Sequence, residues 1–181
     1  ERAEFISSLP ISYEFYMSGH LIRLFHASPY KLDEIYNPMF SNKNSKYSNL
    51  EIANPDRLFE NTEFIGKTYN DPMPDIVGFG HIHTPFLVRY KNKTIFNPGS
   101  VGIPVEMHNN DENDKNNKFS TVASYIILEG YYGKKELDSI SFNSVRIPYN
   151  IQKEVDDLKL SNKPDKESII RTLTSAISNN F

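Results

Sequence analysis

Alternation and clustering of apolar positions place most elements of this chain. Tyr13, Phe15 and Met17 alternate with Glu14 and Tyr16, the period-two pattern of a half-buried strand. Ser18-Gly19 reads as a tight turn, and Leu21 to Ala27 as the second strand of a hairpin. Ala3, Phe5, Ile6 and Leu9 form a short helical or irregular lead-in, ended by Pro10. Residues 30–50 are polar and rich in Asn, Ser, Lys and Tyr, the composition of a long connection. Asn54-Pro55-Asp56 has the form of a helix start, and Leu58, Phe59, Thr62 and Ile65 follow at helical spacing up to Gly66. Asp75 to Phe79 is apolar, β-branched at two positions and preceded by the turn Asp71-Pro72-Met73-Pro74, so it predicts a buried strand. The expected geometry of this strand–helix–strand unit is a parallel pair with a right-handed crossover.

Further on, Phe86–Tyr90 and Thr94–Phe96 predict short strands around the turn Lys91-Asn92-Lys93. A polar, low-complexity insert at about 108–119 is expected to be a mobile excursion without chemistry. Val122–Glu129 and Leu137–Ile147 read as an antiparallel pair around Gly130-Tyr131-Tyr132-Gly133. Ile151, Val155 and Leu158 space as one helix, and Pro164-Asp165-Lys166-Glu167 opens another. Ile169, Ile170, Leu173, Ala176 and Ile177 share one face of that last helix, the usual mark of packing on a sheet. The pattern is mixed α/β in a single domain, 1–181, with added C-terminal helices at about 150–179.

Composition narrows the class. At 181 residues the chain can bury a sizeable core. A hydrophobic content of 38% with 24% charged residues makes a globular, soluble protein the expectation. The net charge is −3 and there is no basic block, hence no strong nucleic-acid signal. No apolar run approaches the ~18 residues of a membrane span, and no signal-peptide pattern opens the chain. A cytoplasmic location without membrane contact is therefore expected. Cysteine is absent, so any metal must take His, carboxylate or amide ligands.

The most informative run is Gly78-Phe79-Gly80-His81-Ile82-His83-Thr84-Pro85. Its glycines are read as allowing a sharp turn. It delivers two imidazoles at the carboxyl end of a buried strand, where open α/β sheets place their ligands. Neutral imidazole is the commonest metal ligand, though two loop histidines bonded to backbone would leave the same pattern. Leu24-Phe25-His26-Ala27-Ser28-Pro29 repeats the order of strand, histidine, turn. Two parallel neighbouring strands would present His26 and His81 at one sheet edge. His20, at the hairpin turn, and His108, beside the insert, read as surface residues. Asn97-Pro98-Gly99-Ser100-Val101-Gly102-Ile103-Pro104 reads as a rigid loop, with Gly99 and Gly102 assigned to unusual φ or close backbone approach.

Taken in order, the His26, Gly80–Pro85 and Asn97–Gly102 motifs resemble the calcineurin-like metallophosphoesterases, in particular their small bacterial and archaeal phosphodiesterase branch. Members of that branch read roughly HG-(S/D)-P, GHTH-x-P, NPGSVG and ASY, and Ala123-Ser124-Tyr125 matches the last element. The resemblance covers roughly residues 10–147 and implies part of a four-layer αββα sandwich with mixed β-sheets. It implies that His26 and His81 bind one metal and His83 a second. The implied cofactors are two divalent ions, manganese first, with iron, zinc or nickel as alternatives, because imidazole suits these better than magnesium or calcium.

The sequence departs from the family pattern in two places. The D-x-H, G-D-x-x-D and G-N-H motifs, which supply the remaining ligands and the acid, do not occur in it. The chain is therefore expected to be a carboxyl-terminal portion of such an enzyme, inactive alone. The Asp-Pro-Arg of close relatives is replaced by Ile103-Pro104-Val105-Glu106-Met107. The function expected is hydrolysis of a phosphate mono- or diester, with a small phosphorylated substrate such as a nucleotide. The alternative is a non-catalytic, protein-binding scaffold of the same fold, as in a retromer subunit. A mononuclear three-histidine zinc site is a third, weaker reading.

Overall fold

The computed structural model describes residues 2–38, 52–105 and 122–178. The connection at 39–50 and the insert at 108–119, with His108, lie outside them. Contacts divide the chain into two compact units. One comprises Glu1–Ile82, Leu87–Asn97 and Leu128–Ser141, the other His83–Phe86, Pro98–Ile127 and Phe142–Phe181. The α/β class and the mixed sheet expected from the sequence are both present.

The first unit is built on a five-stranded sheet of order β1-β2-β3-β5-β4. It opens with a short helix, α1 (Arg2–Ser8), that buries none of its residues. β1 (Ser12–Met17) and β2 (His20–Phe25) form the expected antiparallel hairpin, with Met17 opposite His20 and Ser12 opposite Phe25. Ser18 and Gly19 both take positive φ, 49° and 81°, the two-residue turn whose twist matches the strands it joins. His20 pairs within β2 and is half-buried, not a surface turn residue.

β3 (Ile76–Phe79) is buried throughout and runs parallel to β2, with Ile22 opposite Ile76 and Phe25 opposite Phe79. β5 (Lys93–Asn97) lies parallel on its other side, with Ile76 opposite Thr94 and Gly78 opposite Phe96. Lys91 and Asn92, again at positive φ, connect β5 to β4 (Phe86–Tyr90) at the sheet edge. Asp75 starts the parallel ladder. Its N–H donates to Leu21 O at 2.9 Å, its carboxylate accepts from Leu21 N at 3.1 Å, and its carbonyl accepts from Thr94 N at 3.0 Å.

The connection from β2 to β3 differs from expectation. Two 3₁₀ turns, Pro55–Phe59 and Glu63–Ile65, replace the expected helix. Arg23 explains the break. Its side chain is wholly buried and forms an ion pair with Glu14 at 2.6 Å. It also donates to Glu60 O at 2.8 Å, to Phe59 O at 3.4 Å and to Asn61 Oδ1 at 2.5 Å. These bonds fix the Phe59–Asn61 backbone against Arg23, between the two 3₁₀ turns. A buried charge needs such partners, since leaving one unpaired costs about 3–5 kcal/mol.

The second unit contains most of β6 (Val122–Glu129) and of β7 (Ser141–Pro148, which starts later than the expected Leu137), paired as a two-stranded sheet, and two helices. α2 (Ile151–Leu160) is capped by Asn150, whose Oδ1 accepts from Lys153 N at 3.0 Å. α3 is Lys166–Ser178. Its apolar face was expected on a sheet. Leu173 instead joins Ile151, Val155 and Leu158 of α2 in one buried cluster, flanked by Tyr149, Ile169 and Ile170. Two short amphipathic helices with a brief connection can bury these stripes against each other.

Two glycines serve purposes other than those read from the sequence. Gly78 is an interior strand residue, and a Cβ there would lie 2.7 Å from Cε1 and Cε2 of the buried Phe96 ring. Gly102 has no atom within 4 Å of such a Cβ and no positive φ. Gly78→Ala is expected to cost about 1–3 kcal/mol by overpacking, and Gly102→Ala to stay within about 0.5 kcal/mol. Urea denaturation of both variants checks this contrast.

Candidate metal centre

Parallel pairing brings the ends of β2 and β3 level, with Phe25 beside Phe79 and their rings stacked at 6.1 Å. The next residues of each strand therefore leave the sheet together. Gly80 N donates to His26 O at 2.9 Å, which extends the ladder by one bond. His26 is exposed and His81 half-buried. His26 Nε2 lies 3.1 Å from His81 Nδ1, and the rings meet edge to face at 71°. The expected placement of these two histidines at one sheet edge is what the first unit has.

The chain on either side holds them there. Beyond His26, the buried Ser28 Oγ accepts from Tyr30 N and Lys31 N, each at 3.0 Å, and donates to Glu34. Glu34 is itself buried and paired with Arg57 at 3.5 Å, whose guanidinium lies 4.3 Å over the Tyr30 ring. Beneath the site, Tyr36 sets its ring edge against Phe79 at 6.2 Å. Burial, with a smaller electrostatic push from Tyr90, holds the Tyr36 phenol above its ordinary pKa.

His81 itself sits at φ 56°, and Ile82 N donates back to Gly80 O at 2.7 Å. A three-residue hydrogen-bonded turn with positive φ at its centre is the rare, strained form of γ-turn. The sharp turn thus falls on a histidine and not on Gly80, which has no positive φ. Such strain persists only where the surroundings over-determine it. Part of that determination comes from Asn97, wholly buried at the end of β5, whose Nδ2 donates to Gly80 O. Sequence reasoning took the glycines as the point of the Asn97–Gly102 motif and missed this asparagine.

His83 belongs to the second unit, half-buried at φ 60°, with its carbonyl accepting from Val105 N at 3.3 Å. In the same unit Gly99, at φ 82°, packs its Cα face on Ser124 Oγ and Pro85. Ser124 N donates to Ser100 O at 3.0 Å, so the Asn97–Gly102 loop and the Ala123-Ser124-Tyr125 strand meet. Gly99 therefore has the role expected of it.

The His26–His81 pair fits a cation. Two nitrogens each ~2.0–2.1 Å from one ion stand ~2.9 Å apart at a right angle and ~3.4 Å at the tetrahedral angle. The 3.1 Å between His26 Nε2 and His81 Nδ1 falls in that range. As a neutral pair, one ring instead donates its N–H to the other's lone pair. Among the described residues, no group of three or more His, Asp or Glu side chains gathers where it could hold an ion.

The sequence matches no protein-family model and no curated protein. Solved structures similar to the chain include the hypothetical protein PH1004 from Pyrococcus horikoshii OT3, at 16% identity and a TM-score of 0.51. That match covers 94% of this chain and 52% of PH1004, so the chain spans about half the length of that protein. A metallophosphoesterase from Sphaerobacter thermophilus gives 16% identity and a TM-score of 0.49, over 96% of this chain and 60% of its own. A Vps29 variant from Entamoeba histolytica gives 18% identity and 0.36, over 79% and 63%. Only the likeness to PH1004 is strong enough to carry weight, and it is one of fold. Over 94% of its length the chain therefore shares the fold of PH1004, a mixed α/β fold.

Proposed function

We propose that this chain supplies the imidazole half of a metal-dependent phosphoesterase site. The observation that carries the reading is the 3.1 Å approach of His26 Nε2 to His81 Nδ1 at the ends of adjacent parallel strands. These two would hold one ion and His83 would hold another. Divalent ions, when bound, polarise a phosphate ester and lower the pKa of water enough to make a nucleophile near neutral pH. The part played by this chain is to fix its ligands. β2 and β3 set the spacing of His26 and His81, the Ser28–Glu34 turn anchors the backbone after His26, and the γ-turn aims His81. Manganese is the proposed ion, with iron, zinc or nickel as alternatives, on the softness of the donor set. The proposed substrate is a small phosphorylated molecule, a nucleotide included, handled in the cytoplasm. Among the described residues no helix is long and apolar enough to cross a membrane.

A second reading is favoured by one observation. No third His, Asp or Glu joins the pair among the described residues, which suits a scaffold that keeps the fold and binds partners without catalysis. Metal content separates the two readings.

Calorimetric titration of the chain with Mn²⁺ or Zn²⁺ is expected to show binding that His26→Ala and His81→Ala each weaken by at least ~100-fold. Longer proteins that carry this chain, loaded with Mn²⁺, are expected to hydrolyse bis-p-nitrophenyl phosphate or p-nitrophenyl phosphate. His81→Ala is expected to abolish that turnover. Absence of both hydrolysis and bound metal would sink the phosphoesterase reading and leave the scaffold.

A further inference from the structure

We infer that Asn97 is a positioning residue for the His26–His81 pair and acts through the peptide of Gly80. The inference rests on the metal-site reading above, but its geometry is independent of any ion. Asn97 is the last residue of β5 and has no solvent exposure. Because β5 runs parallel to β3 with Phe96 opposite Gly78, Asn97 ends its strand just below Gly80. Its Nδ2 donates to Gly80 O. The same carbonyl accepts from Ile82 N, closing the turn centred on His81, while Gly80 N donates to His26 O. The N–H and carbonyl of Gly80 thus carry three bonds, which tie together β5, the backbone of His26 and the turn that aims His81.

The chemistry calls for a donor at this point. Gly80 O has two lone pairs, and the γ-turn uses one. Asn97 takes the other and leaves the carbonyl fully satisfied. It also stops the peptide from rotating. Without that hold, the strained positive φ of His81 can relax to a negative value, which swings its ring off Nε2 of His26. The pair's 3.1 Å spacing then depends on a side chain that touches neither ring.

Two variants test this: Asn97→Ala empties the space, and Asn97→Leu fills it with an apolar group. Both lack the donor. The readouts are the side-chain ¹⁵N resonances of His26 and His81 in the chelator-treated chain, and the affinity for Zn²⁺. Both variants are expected to move the His26 Nε2 and His81 Nδ1 signals, to leave those of His20 in place, and to weaken Zn²⁺ binding about tenfold or more. Either variant, folded by its backbone amide spectrum but with both ring signals at their wild-type positions, overturns the inference. Should neither variant fold, the wild-type chain decides. Asn97 side-chain protons protected from exchange and scalar-coupled to the Gly80 carbonyl support it, and freely exchanging protons overturn it. Should the wild-type chain take up no Zn²⁺, the phosphoesterase reading fails while the ring resonances still decide the role of Asn97.

Discussion

Parallel pairing of β2 with β3, and of β3 with β5, is the constraint from which the site follows. Asp75 starts the ladder by bonding both Leu21 and Thr94, and the Gly80–His26 bond closes it. Between these ends the ladder holds one register, with Ile22 opposite Ile76 and Ile76 opposite Thr94. Fixed register makes the three strands end level. The next residues of β2 and β3 are His26 and Gly80, and β5 ends on the buried Asn97. The placement of His26 and His81 side by side is thus a consequence of backbone hydrogen bonding.

Strain and its compensation are concentrated at the same place. His81 and His83 both hold positive φ, which costs a residue with a Cβ of order 1–3 kcal/mol. Around His81 the surroundings meet that cost with the Gly80 peptide bonds and the Asn97 amide. On the flank of His26, a hydroxyl, a carboxylate, a guanidinium and a tyrosine ring link Ser28, Glu34, Arg57 and Tyr30. A loop that only linked two strands would have no need of such reinforcement.

Much of this was legible in the sequence where the pattern is local. The alternation around Tyr13–Met17, the apolar run ending at Phe79 and the two-residue connections all translate directly into pairing. The placement of His26 and His81 at one edge follows from two strand ends and the parallel rule. Failures came from contacts distant in sequence. The expected helix after Asn54 gives way to two 3₁₀ turns where the chain is bonded to Arg23, which stands 36 residues before Phe59. Gly78 reads as a hinge until the Phe96 ring is seen over it. Asn97 acts on a carbonyl 17 residues away, and no periodicity marks such a bond. The apolar face of α3 announces burial but not its partner, which is α2.

We propose that His26 and His81 hold one ion between them. Anomalous diffraction from crystals grown with Zn²⁺, which imidazole binds more tightly than Mn²⁺, tests it most directly. One anomalous peak is expected, ~2.0–2.1 Å from both His26 Nε2 and His81 Nδ1. Crystals in which zinc binds elsewhere, or nowhere, while the two rings stay hydrogen-bonded at 3.1 Å would contradict it.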